Sequence, residues 1–187
     1  MIKLNLRAGI AAIALAAIAP ALSAPAFAAN PMVGGAAMYA NKTIVDNAVN
    51  SKDHTTLVAA VKAAGLVETL SGPGPFTVFA PTNAAFGKLP AGTVDTLVMP
   101  ENKDTLTKIL TYHVVSGAMT SKDIAKAIKA GKGSAMLTTV QGEPLTAMMK
   151  GGKLVLTDAK GGMSTVTIKD VMQSNGVIHV VDTVLMP

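Results

Sequence analysis

Three histidines, His54, His113 and His179, are the side chains in this chain best suited to proton transfer or metal binding. They lie 59 and 66 residues apart, and no His-Glu-x-x-His or other zinc-ligand spacing joins any two of them. The 187 residues contain no Cys, which removes thiolate metal sites, Cys nucleophiles and disulfide frameworks. No Gly-x-Ser-x-Gly elbow is present, so acyl transfer lacks its usual nucleophile setting. Gly131-Lys132-Gly133-Ser134 lacks the Ser/Thr directly after Lys, and the earlier Gly, that a phosphate loop requires. The eleven carboxylates are scattered, with no pairing readable from spacing. These residues predict no catalytic centre, no metal and no cofactor.

The elements that must position these groups follow an export leader. Lys3 and Arg7 precede an apolar run over residues 8–19, and Ala26-Phe27-Ala28 gives a small-x-small cleavage pattern. Pro20 and Pro25 interrupt the roughly 20 apolar residues that a spanning helix needs. A signal peptide over residues 1–28 is therefore expected, with no transmembrane segment after cleavage and a secreted or periplasmic product. Lys3 and Arg7 leave with it, and the remainder carries 14 Lys against 11 acids, a net of +3. So small a surplus, with few aromatic residues for stacking, argues against nucleic acid as a partner.

Residues 29–40 show no hydrophobic period and are expected to form a flexible tail. From residue 41 to 187 the first half reads mainly helical. Asp53 is placed to cap a helix with Leu57, Ala60, Val61 and Ala64 on one stripe and Gly65 at its end. A strand over residues 76–80 leads into a turn at Pro81-Thr82-Asn83 and a short helix through Phe86. Leu106, Ile109 and Leu110 share a helical face, and a short strand is expected over residues 112–116. Ile124 and Ile128 mark a further helix over residues 121–130. The second half reads as strands, with turns at Gly151-Gly152 and Ser174-Asn175-Gly176. Val177-Ile178-His179-Val180-Val181 is apolar at nearly every position, which suits a strand buried on both faces. Helices early and strands late predict an α+β domain.

Three separated segments carry a family likeness. They are Thr77-Val78-Phe79-Ala80-Pro81-Thr82-Asn83-Ala84-Ala85-Phe86, then Tyr112-His113-Val114-Val115, then Ser174-Asn175-Gly176 continuing through His179 and Asp182 to Leu185. In order and separation they resemble the signatures of the fasciclin (FAS1) domain, over residues 41–187. The resemblance implies a wedge-shaped β-sandwich of about seven strands flanked by several helices, with the motif strands in its centre. In that fold Phe79, Pro81, Thr82, Asn83, Phe86, Gly176 and His179 are expected to be structural. The resemblance also implies a non-enzymatic adhesion or interaction module of the cell envelope or extracellular matrix. Its partner would be a cell-surface or matrix protein or a polysaccharide, and self-association is compatible with that role.

In animal relatives an Asp-Ile pair upstream of the last motif, and the Tyr-His region, are linked to integrin-dependent adhesion. The matching residues here are Asp170, Val171 and Met172, with Tyr112 and His113. Val171 replaces the Ile, which weakens any expectation of integrin specificity. Lys122, Lys126 and Lys129 occupy one helix face opposite Ile124 and Ile128 and form a second candidate contact, for anionic surfaces. Some relatives of the fold bind carotenoids. An alternative is therefore a carrier of a small apolar, carotenoid- or lipid-like ligand, in a groove lined by the Met, Ala and Val that abound here.

Overall fold

A computed structural model describes residues 30–187 of the protein. The signal peptide expected over residues 1–28 lies outside the described residues. The first elements are a hairpin of β1 (Met32–Val33) and β2 (Ala36–Ala37), turned by Gly34 and Gly35 at φ +57° and +76°. This corrects the flexible tail expected over residues 29–40. Val33 and Met38 are 4% and 2% exposed and belong to the core, and Asn47 exchanges two hydrogen bonds with the Tyr39 backbone. A strap this short has no room to display a period, yet two buried side chains and a buried amide fix it.

Helix α1 (Ile44–Ala48) begins at Thr43 with a capping box. Thr43 Oγ1 accepts from the Asp46 N–H, and the Asp46 carboxylate accepts from the Thr43 N–H. A 3₁₀ turn (Lys52–His54) enters α2 (Thr55–Ala64), which buries Leu57, Ala60, Val61 and Ala64 and stops at left-handed Gly65. Asp53 makes no capping bond there. Then come α3 (Val67–Ser71), β3 (Phe76–Pro81), α4 (Asn83–Gly87), α5 (Thr93–Leu97) and α6 (Lys103–Tyr112). Tyr112 closes α6 rather than opening a strand, and β4 is only Val114–Ser116. After α7 (Ser121–Ala130) the chain is all strand: β5 (Ser134–Thr138), β6 (Pro144–Lys150), β7 (Lys153–Thr157), β8 (Met163–Gln173) and β9 (Gly176–Val181).

Seven strands form one ladder in the order β4-β3-β9-β8-β7-β6-β5. Every pairing is antiparallel except β3 with β9, which run parallel from Phe76↔Gly176 to Pro81↔Val181. The ladder curls until its ends meet, where the Val140 N–H donates to the Val114 carbonyl at 2.7 Å. Strand β8 serves both halves. It pairs with β7 at Met163–Thr165 and with β9 at Val166–Gln173, with two register shifts on the way.

Successive residues of β9 face opposite sides. Ile178 and Val180 enter a core with Leu57, Val61, Leu106 and Leu110, whereas Val181 joins Ile124, Ile128, Leu145 and Leu156. That double burial accounts for the unbroken apolar run in the sequence. The α+β expectation, with about seven strands and flanking helices, is borne out.

Candidate functional site

The Pro81-Thr82-Asn83 turn does two capping jobs at once. Thr82 Oγ1 accepts from the Ala85 N–H at 3.2 Å and starts α4. Asn83 reaches back to α2. Its Oδ1 accepts from the Thr56 N–H at 3.0 Å, and its Nδ2 donates to the Lys52 carbonyl at 2.8 Å. Phe86 is buried beside the turn. Gly176 lies so close to β3 that a Cβ there would sit 2.0 Å from the Phe76 carbonyl oxygen. That contact permits the parallel β3–β9 pairing and excludes any side chain.

His113 is 2% exposed. Its Nε2 accepts from the Leu185 N–H at 3.0 Å, which leaves Nδ1 to donate to the Ile109 carbonyl at 2.8 Å. Burial pushes its pKa down to about 4, against the pull of that carbonyl and of Asp158. Tyr112 is fully buried. Its hydroxyl donates to the Pro144 carbonyl and accepts from the Ala159 N–H, and burial raises its pKa. His179 is fully buried and stacks on Phe79, with ring centroids 5.6 Å apart. Its Nε2 donates to the Met119 carbonyl at 2.9 Å and its Nδ1 accepts from the Asp170 N–H at 3.3 Å. Burial lowers its pKa despite the Met119 carbonyl. His54 is buried with Nδ1 2.9 Å from Ser51 Oγ, and burial lowers its pKa as well.

These positions correct the expected adhesion surface. Tyr112, His113 and Val171 are 0%, 2% and 0% exposed, so none of them can touch a partner of the folded chain. Each completes an internal network or core, and motif likeness carries no information on exposure. Asp170 is half-buried with φ +59°, a left-handed conformation uncommon for a residue with a side chain. Its carboxylate accepts from both the N–H and the hydroxyl of Ser121, the first residue of α7. Asp170 therefore anchors a helix start to the bulged part of β8.

The surface that remains is built around this anchor. Met172 is 46% exposed, and Lys169 is exposed beside Asp170. Lys122 follows Ser121 directly and opens the exposed lysine face that continues through Lys126 and Lys129. The Ser121–Asp170 contact thus joins two candidate regions that the sequence leaves 40 or more residues apart. Lys126 lies 4.0 Å from Asp123, an exposed pair of little energetic weight. Among the described residues, no three His, Asp or Glu side chains converge as a metal site would require.

Sequence reasoning missed Asn175 and Asn47. Asn175 Oδ1 accepts from the Ile44 N–H, and its Nδ2 donates to the Leu70 and Gly72 carbonyls. Asn47 also donates to Gln173 Oε1. For Asn175 the signal was an Asn in a turn, which predicts the turn and not a buried clasp more than 100 residues away; Asn47, inside α1, gave none.

A curled seven-stranded ladder, with one parallel pair, β3–β9, among antiparallel neighbours and with helices before and between its first strands, defines a single fasciclin-type domain. The Fasciclin domain family model matches residues 52–187, and the chain belongs to that family. It is 51% identical over 156 residues to Protein sll1483 of Synechocystis sp., covering 83% of this chain and 79% of that one. It is 36% identical over 162 residues to the cell surface glycolipoprotein MPB83 of Mycobacterium bovis, covering 82% and 64%. Its fold matches a FAS1 domain pair from the insect cell adhesion molecule fasciclin I with a TM-score of 0.68 at 22% identity. That match covers 78% of this chain and 51% of the pair. Among the described residues no helix is long and apolar enough to cross a membrane.

Proposed function

We propose that this protein is an exported, non-enzymatic adhesion or interaction module of the cell envelope or extracellular matrix. The observation that carries this reading is the commitment of all three imidazoles and Tyr112 to the interior. Lys122, Lys126 and Lys129 on α7 and Lys169 on β8, by contrast, are exposed. Groups hidden from solvent and held at depressed imidazole pKa values are poor proton carriers. A rigid exterior with lysines and an exposed Met172 suits recognition of an anionic surface polysaccharide or protein. Membership of the family, and likeness to a mycobacterial cell surface glycolipoprotein, support the location. The interior offers little room to enclose a carotenoid- or lipid-like ligand. Two small apolar cavities beneath α1 measure about 40 and 30 Å³, room for one or two waters each.

The test is adsorption of the purified protein to isolated envelope material. Lys126→Glu with Lys129→Glu and Met172→Ser should lower the bound fraction about tenfold, with unchanged circular dichroism. Undiminished adsorption of that folded variant would remove this face from the site.

A further inference from the structure

Strands β7 and β8 pair only at Val155↔Thr165, Leu156↔Ser164 and Thr157↔Met163. On the other side of Val155 they part. There β7 leads back to the Gly151-Gly152 turn, and β8 from Val166 onward pairs with β9 instead. The gap is an open cleft of about 600 Å³, within the range of small-molecule sites and far larger than the two internal cavities.

Its wall combines two chemistries. Lys122 from α7, Lys153 from β7 and Lys169 from β8 are all exposed, so three separate elements bring ammonium groups to one opening. Neither ion pair among the described residues, Lys88–Asp182 and Lys126–Asp123, involves them. Met149, Leu154 and Val166 supply apolar surface, with Leu154 and Val166 almost fully buried as a floor and Met149 47% exposed at the edge. The one acid in the wall is Asp182. Its carboxylate accepts from the Thr165 N–H and the Thr183 hydroxyl and lies 4.0 Å from Lys88 outside the cleft. The opening therefore keeps a positive surplus.

A small inorganic anion would use the ammonium groups and leave the floor wet. A neutral hydrocarbon would use the floor alone. A sugar chain would find no aromatic ring in the wall to stack on. A ligand with an anionic head and a flexible alkyl chain uses both halves. The lysine stems can also lie along that chain while their charges reach its head. We infer that the cleft between β7, β8 and α7 binds a single-chain anionic amphiphile of the fatty-acid carboxylate type. This goes beyond the adhesion reading and does not depend on it.

The test is titration of the purified protein with dodecanoate below its micelle concentration, followed by amide NMR and calorimetry. Dodecanol serves as a tail without charge, acetate as a charge without a tail, and dextran sulfate as a polyanion. Saturable dodecanoate binding is expected, with shifts centred on Lys122, Ala125, Leu154 and Val166. Dodecanol and acetate should bind at least about tenfold more weakly, and Lys153→Gln with Met149→Ser should cost dodecanoate about tenfold. Both substituted residues are exposed and lie outside the Lys126, Lys129 and Met172 face, so this result is separable from the adsorption test. No dodecanoate binding, equal binding of dodecanol, or shifts centred on the cavities beneath α1 would overturn the assignment. So would affinity indifferent to Lys153 and Met149, or displacement of dodecanoate by dextran sulfate at equal or greater affinity.

Discussion

His113 shows how a signature residue can be indispensable without touching a partner. Its two ring nitrogens satisfy the end of α6 and the last turn of the chain, through Ile109 and Leu185. Protonation would place a charge in the core and remove the acceptor that Leu185 needs. The folded chain takes up this proton near pH 4, whereas the unfolded chain takes it up near 6.5. Stability from this group is thus complete above pH 6.5 and lost as pH falls from 6.5 towards 4. His54 and His179 are shifted in the same direction. Asp46 and Asp123, whose pKa values are lowered by bonds from Thr43 and Thr120, act only at lower pH. Urea unfolding at pH 4.5 should show a loss of about 2–3 kcal/mol relative to pH 7 from His113 alone. In His113→Gln that difference should shrink by a similar amount; an unchanged pH dependence would show that the imidazole does not titrate with folding.

At the scale of elements, the Pro81-Thr82-Asn83 turn links α4 to α2 through two side chains with different reach. Thr82→Ala removes a local cap and should cost about 1 kcal/mol. Asn83→Ala strips the start of α2 and also leaves the Lys52 carbonyl unpaired, and should cost about 2 kcal/mol. Urea midpoints of the two variants give the ranking; a smaller loss for Asn83→Ala would break the bridge to α2. The cap by Thr82 was readable, because its spacing to the helix is local. The reach of Asn83 over 27 residues to Thr56 was not, and Asp53 was the natural but wrong choice for that end. The same contrast runs through the elements. The stripe on α2 and the Ile124–Ile128 pair repeat every turn or so and declare themselves. Helices α3 and α5 are five residues each, too short for a period to emerge.

At the scale of the whole molecule, the strap from residue 30 to 40 belongs to the folded body although the family match begins at residue 52. Deleting residues 30–40 removes Val33 and Met38 from the core and leaves Asn47 without its Tyr39 partners. A loss of about 3–5 kcal/mol is expected, read as a lower urea midpoint. A protein equally stable without the strap would return it to the status of a tail. Long-range closure was the part least visible in the sequence. Motif spacing located β3 and β9, but nothing in it states that residues 76 and 176 run side by side, or that Asp170 meets Ser121 across 49 residues. For the site, motif likeness proved a guide to shared architecture. Tyr112, His113 and Val171 lie inside, while Lys169, Met172 and the lysines of α7 are exposed around them.

Acylation footprinting of lysines on protein adsorbed to isolated envelope material tests this division between a structural interior and a gripping exterior most directly. Lys122, Lys126, Lys129 and Lys169 should lose most of their reactivity on adsorption, while Lys103, Lys108 and Lys160, exposed elsewhere, keep theirs. Protection centred on Lys103 and Lys108, or no selective protection at all, would contradict it.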